Sequence, residues 1–126
     1  MRSITDILKQ SKTIAVVGLS PKEERASFGV AQYLQSQGYR ILPVNPSYAG
    51  TDILGEKVHA CLQDAADALA ASGQRIDIVD CFRKAEDIPP VAREAIAVRA
   101  GCLWMQLGIA NQAAADMAAA AGLDVV

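Results

Sequence analysis

A three-layer α/β/α fold around a doubly wound parallel sheet is the architecture this chain predicts. Three observations carry that expectation. Short runs rich in Val and Ile alternate with helical patterns, those patterns close on glycines (Gly38, Gly73, Gly122), and the interior strand runs are almost unbroken apolar stretches. Alternating strands and helices call for right-handed crossovers and parallel pairing. A strand that is apolar on both faces needs helices on both sides of the sheet.

Ser3 and Asp6 fit the S-x-x-D form of a capping box, so a short leading helix is expected from Ser3 to about Gln10, within the first 12 residues. "TIAVVG" (Thr13–Gly18) reads as the first strand. Ser27 is placed to cap the next helix, with Val30, Ala31 and Leu34 on its buried face and Gly38 as its stop. "YRILPVNP" supplies a second strand that halts at Pro46, and "SYAGTDILGEKVHA" is irregular, with at most a short strand near Val58. "CLQDAADALAASG" is a helix, "IDIVDCF" a strand, "PPVAREAIAVRAG" a helix opened by proline, and "CLWMQ" a strand. "NQAAADMAAAAG" is an Ala-rich helix, and "LDVV" begins a last strand. Residues 1–126 form one domain, since no linker, repeat or low-complexity tract divides them.

With 52% hydrophobic but only 5% aromatic residues, the core must be built from Ala, Val, Leu and Ile. A net charge of −2 argues against a nucleic-acid partner, because such proteins carry a basic face. An anionic ligand would have to be met by positive charge gathered locally. The polar start "MRSITDILKQSK" is unlike a signal peptide, and no apolar run approaches a membrane span. Cys61, Cys81 and Cys102 are odd in number and lack metal-like spacing with His59. A cytoplasmic protein without a metal site is the expectation.

Ligands of such sheets bind beyond the carboxyl ends of the strands, where strand order reverses. Those ends carry Gly18-Leu19-Ser20, Asn45-Pro46, Phe82-Arg83-Lys84 and Gln106-Leu107-Gly108. Gly18 allows a tight turn and close backbone approach. Ser20 and Ser27 offer hydroxyls, the helix opening at Ser27 offers unpaired N–H groups, and Lys22 and Arg25 add formal charge. Each of these residues alone also reads as part of a solvated turn. Their convergence with Arg83 at a neighbouring strand end points to an anion site.

Two familiar phosphate motifs are missing. Gly18 stands alone until Gly29, so G-x-G-x-x-G is absent, and Asn45 occupies the place where NAD-binding domains carry an acidic residue for the ribose hydroxyls. The nucleotide-triphosphate loop G-x-x-x-x-G-K-[ST] is absent as well.

From Ile14 onward, "AVVGLSPKEERASFGVAQYLQSQGYRILPVNPSYAGTDILGEKVHACLQD", "IDIVDCFRKAEDIPPVAREAI" and "CLWMQLGIANQAAADMAAAAGLDVV" follow one another in the order of a known pattern. The chain resembles the CoA-binding domain family of small stand-alone bacterial proteins, which is similar to the N-terminal domain of the succinyl-CoA synthetase α subunit. The resemblance implies a Rossmann-like domain that holds coenzyme A across its strand ends. It implies that Gly18, Leu19 and Ser20 of "VGLS" lie against the ligand and that Arg25 and Ser27 of "RAS" take phosphate. It places Asn45 and Pro46 beside the adenosine half, Phe82 and Arg83 at the cleft opening, and Gln106 and Gly108 along the pantetheine side. The sequence departs from the family in one place. Members continue past the "GLDVV" strand with a short cysteine-containing segment, whereas this sequence ends at Val126.

No catalytic set emerges beside this. The phosphorylated histidine of succinyl-CoA synthetase has no counterpart, and His59 reads as a polar residue beside a short edge strand. Asp77 and Asp80, three apart on a strand, point to opposite faces and make no carboxylate pair. Asp80 reads as a hydrogen-bond acceptor near the strand end, and Trp104 as core packing. Cys81 reads as a small buried hydrophobe, the alternative being a thiolate that forms a mixed disulfide with CoA. A non-catalytic module that binds CoA or an acyl-CoA is therefore expected, alone, as a homo-oligomer or with a protein partner. The alternative is an enzyme acting on a CoA ester or on another nucleotide such as NAD(P).

Overall fold

The computed structural model of the chain describes residues 1–106 and 109–126. Five strands form one parallel sheet: β1 (Thr13–Val17), β2 (Arg40–Val44), β5 (Ile78–Cys81), β6 (Cys102–Met105) and β7 (Asp124–Val125). Their spatial order is β2-β1-β5-β6-β7, so strand order reverses between β1 and β5. β3 (Asp52–Ile53) and β4 (Glu56–Lys57) make a separate two-residue hairpin in the region read as irregular.

The helices are α1 (Ile4–Gln10), α2 (Ala26–Ser36), α3 (Leu62–Ala70), α4 (Ile88–Ala97) and α5 (Gln112–Ala120). The fold is the expected single-domain Rossmann-like α/β/α arrangement, but its two outer layers are unequal. Ala15, Val17, Leu42, Val44, Val79, Cys81 and Leu103 pack under α3, α4 and α5 through Leu62, Leu69, Val91, Ala95, Ala114 and Ala118. Ile14, Val16, Ile41, Ile78 and Cys102 face the other way, toward Ile7 of α1 and Ala31 of α2. Right-handed crossovers dictate this: the step from β1 to β2 runs one way along the sheet, and every later step runs the other. One face thus receives three helices, and the other receives α2 and the seven-residue α1.

The short α1 is held at its start. Ser3 accepts from the N–H of Asp6, as the capping pattern predicts. Arg2 reaches β7, its Nε 2.6 Å from Asp124 Oδ2 and its backbone N–H donating to Asp124 Oδ1. At the sheet's edge, the outward side of β2 is met by the segment after β4. His59 N–H donates to Pro43 O, and Asn45 N–H donates to His59 O. His59 therefore lies beside an edge strand, as expected.

Gly18 ends β1 with φ +90°, and a Cβ placed there would stand 2.4 Å from the carbonyl oxygen of Phe82. Gly29 lies inside α2, where a Cβ meets nothing within 4 Å. The two positions predict opposite outcomes for the same substitution. Gly18→Ala should cost about 2–5 kcal/mol through positive-φ strain and backbone overlap. Gly29→Ala should stabilise by about 0.5–1 kcal/mol through helix propensity. Urea unfolding of both variants beside wild type checks the contrast.

Candidate functional site

The strand register decides where the expected loops fall. Val17 pairs with both Val44 and Cys81, and Cys81 pairs with Met105, so the residues that follow β1, β2, β5 and β6 all emerge at one edge. Phe82 N–H donates to Val17 O, and Gly18 N–H donates to Val44 O, which locks the β1 turn between its two neighbours at the point of reversal.

A hollow of about 340 Å³ opens there, lined by Gly18, Ser20, Lys22, Arg25, Ala26, Ser27, Tyr48 and Phe82. Its floor is the start of α2. Arg25 stands at the N-cap without a side-chain capping bond, and the first turn contains no acidic residue. The N–H groups at this end therefore lack a side-chain cap, beside the helix's positive pole and the cations Lys22 and Arg25. Glu23 and Glu24 share the loop but do not line the hollow. Such a floor suits phosphate oxygens.

Ser27 departs from the capping role expected of it. α2 begins at Ala26, and Ser27 is its second residue, buried, with Oγ accepting from the N–H of Ser20. Ser20 Oγ in turn accepts from Lys22 N–H, and Arg25 N–H donates to Lys22 O. The loop is wound onto the helix start by these bonds, which sets the positions of both cations.

The remaining expected residues divide between walls and supports. Leu19 is fully buried in the core beneath α2, so only its backbone borders the turn. Asn45 is buried too: its Nδ2 donates to Leu19 O and its Oδ1 accepts from Ser47 N–H. It braces the β1 turn from the end of β2. Pro46 is exposed at the start of the 3₁₀ turn Pro46–Tyr48, which delivers Tyr48 to the hollow. Arg83 lays its stem against Gly18, its Cδ 3.5 Å from where a Cβ would stand. Gly108 lies outside the described residues. Ala26 and Tyr48 were not singled out from the sequence. A Tyr two residues past a strand-ending Pro was the available signal for Tyr48.

Gln106 belongs to a second hollow, on the two-helix face. That hollow, of about 220 Å³, is lined by Leu8, Ile14, Val30, Leu34, Ile78, Asp80, Trp104 and Gln106. Trp104 is thus a half-buried wall residue and not sealed core. Asp80 is 4% exposed and accepts a hydrogen bond from Gln106 Nε2, the acceptor role expected of it. Burial pushes its carboxyl up to about 6, against the opposing pull of the Gln106 bond. Asp77, at the other end of the strand, accepts from Lys12 and Thr13 N–H groups and is remote from this wall.

Cys81 is fully buried on the three-helix face. Burial, with Asp80 and Cys102 adding to it, pushes its thiol up to about 12, so the thiolate needed for a mixed disulfide does not form near neutral pH. His59 is held below its usual range by burial and by Lys57. Among the described residues no group of three or more His, Cys, Asp or Glu side chains is placed to hold a metal, and no helix is long and apolar enough to cross a membrane.

The raised Asp80 carboxyl has a stability consequence. A folded-state value near 6 against an unfolded value near 4 means that stability is fully present below about pH 4 and declines until about pH 6. Asp80→Asn should remove that penalty. The variant should match wild type near pH 4 and exceed it by about 1–3 kcal/mol at pH 8, read by urea unfolding at the two pH values. A variant less stable than wild type at pH 8 would contradict this.

Comparison with known proteins gives the family and the fold. The model of the CoA binding domain family matches residues 12–126. YneT of Bacillus subtilis (strain 168) is 39% identical over 123 residues, covering 98% of this chain and 84% of that protein. The Thermus thermophilus protein cell-free ID.343 superposes with a TM-score of 0.87 at 36% identity, over 98% of this chain and 87% of that one. RSP, a Rex-family repressor solved in complex with beta-NADH, shares the fold alone, with a TM-score of 0.61 at 18% identity over 85% of this chain and 52% of its own. The chain belongs to the CoA-binding domain family.

Proposed function

We propose that this member of the CoA-binding domain family binds coenzyme A or an acyl-CoA at the reversal between β1 and β5, as a non-catalytic module. The observation that carries the reading is the uncapped start of α2 facing a hollow flanked by Lys22 and Arg25. Phosphate groups would lie over Gly18, Ser20 and Ser27, with Arg25 gripping them through paired N–H groups and Lys22 acting as a point charge. Asn45, Pro46 and Tyr48 border the adenosine half, and Leu19 supports it from below. Phe82 and Arg83 form the cleft opening, and Gln106 lies along the pantetheine.

Catalysis finds no support among these groups. His59 serves the sheet edge, the Cys81 thiol stays protonated, and Asp80 is engaged by Gln106. A domain of this kind would act through what it holds, as a carrier, a sensor or part of an assembly in the cytoplasm.

A second reading, NAD(P), draws on the fold shared with the NADH-bound Rex-family repressor. Asn45 weighs against it. It lacks the carboxylate that usually accepts from ribose hydroxyls, and both ends of its side chain are engaged by Leu19 and Ser47. CoA also carries a 3′-phosphate in addition to its pyrophosphate, which makes use of two cations.

Calorimetric titration of CoA, dephospho-CoA and NADH decides between the readings. CoA should bind tightest, and Arg25→Ala should weaken it by about tenfold to a hundredfold, the loss of one charge-assisted bond. Equal affinity for CoA and NADH, or an unaffected Arg25→Ala variant, would overturn the assignment. Steady hydrolysis of an acyl-CoA, abolished by one substitution in the cleft, would overturn the non-catalytic reading.

A further inference from the structure

We infer that the apolar hollow on the two-helix face receives the acyl group of a CoA thioester of medium chain length. The inference rests on the CoA reading above and names the ligand class within it.

Both hollows draw walls from α2 and from the β5 segment. Ser27 lines the polar one, and Val30 and Leu34 line the apolar one, about 4.5 and 10 Å farther along the axis of α2. On the sheet, Phe82 lines the first and Asp80 the second, about 6.6 Å apart along the strand direction. Tyr48 and β2 bound the polar hollow on one side, so a ligand with its adenosine there extends its other end toward β5 and β6. Asp80 and Gln106 stand in its path.

The hollow's walls select for an uncharged, apolar tail. Leu8, Ile14, Val30, Leu34, Ile78 and Trp104 supply carbon, and its two polar side chains are bonded to each other. A carboxamide carries two N–H groups, and Gln106 uses one on Asp80. The second has no partner among the described residues and suits a thioester carbonyl.

Size sets the chain length. A cavity of about 150 Å³ lined by aliphatic and aromatic carbon accepts benzene. The hollow, at 220 Å³, holds about eight or nine carbon atoms on that scale. The gap is also built into the architecture, because only α1 and α2 cover this face.

The test titrates wild type with CoA, acetyl-CoA, hexanoyl-CoA, octanoyl-CoA and palmitoyl-CoA by calorimetry, with tryptophan emission followed in parallel. Trp104 is the sole tryptophan, so its emission reports on the hollow directly. Affinity should rise about two- to fourfold per methylene up to octanoyl, at least about sixtyfold in total over acetyl-CoA, with no further gain for palmitoyl. The emission should shift with hexanoyl-CoA and not with CoA. Val30→Phe and Leu34→Phe, which fill the hollow from α2, should each erase the chain-length gain relative to that variant's own affinity for CoA. Wild type that binds CoA and hexanoyl-CoA equally, or a gain that survives both substitutions, would overturn the inference and leave the CoA reading standing. Failure of CoA itself to bind would overturn both.

Discussion

The pass of the β1 turn across the end of β5 is the constraint on which the rest of this molecule depends. Gly18 sits against the Phe82 carbonyl with no room for a side chain, and its N–H is tied to Val44 across the strand on the other side. That contact draws three strand ends into one small region. It also fixes the angle at which the chain leaves β1, hence where α2 begins and where its positive end points. Ser27 then holds Ser20, and Asn45 holds Leu19, so the turn is secured from the helix and from β2 together. A turn pinned from three sides holds the uncapped start of α2 in place without needing to be ordered by a ligand, which is the form of preorganisation that favours binding.

The unequal helix layers follow from the same topology. Once the chain has stepped from β1 to β2, each later crossover lays its helix on the opposite face. The two-helix face has only α2 and α1 to cover strands of the same width. α1 is drawn over it by Arg2 and Asp124, and still the strip above Asp80 and Trp104 remains open. An acidic group there meets a low-dielectric wall without a cation, and its raised carboxyl records that setting.

Much of this was legible from residue order, and the exceptions share a cause. The elements, the Ser3 cap and the gathering of Gly18, Ser20, Lys22, Arg25 and Phe82 depend on local pattern and on a general rule for parallel sheets. Ser27 was misplaced by one role because a serine before a helical pattern reads the same whether it caps or sits as the helix's second residue. Tyr48 and the inward-turned side chain of Asn45 depend on a 3₁₀ turn too short to show periodicity. The apolar hollow could not be read from any one segment. It exists because Asp80 and Trp104 fall in one register row, and because side chains from α1, α2 and three strands meet around it.

Pro43 has a part beyond its own strand. In β2 the even-numbered residues bond to β1, as Val44 O and Arg40 N–H show, so the odd-numbered ones face outward. Proline has no N–H to present, and the outward groups that follow, Pro43 O and Asn45 N–H, are met by His59. The opposite border, β7, is two residues long. Along β2 the pairing with His59 leaves no row of unpaired amides long enough to template another strand, the feature through which sheets join edge to edge.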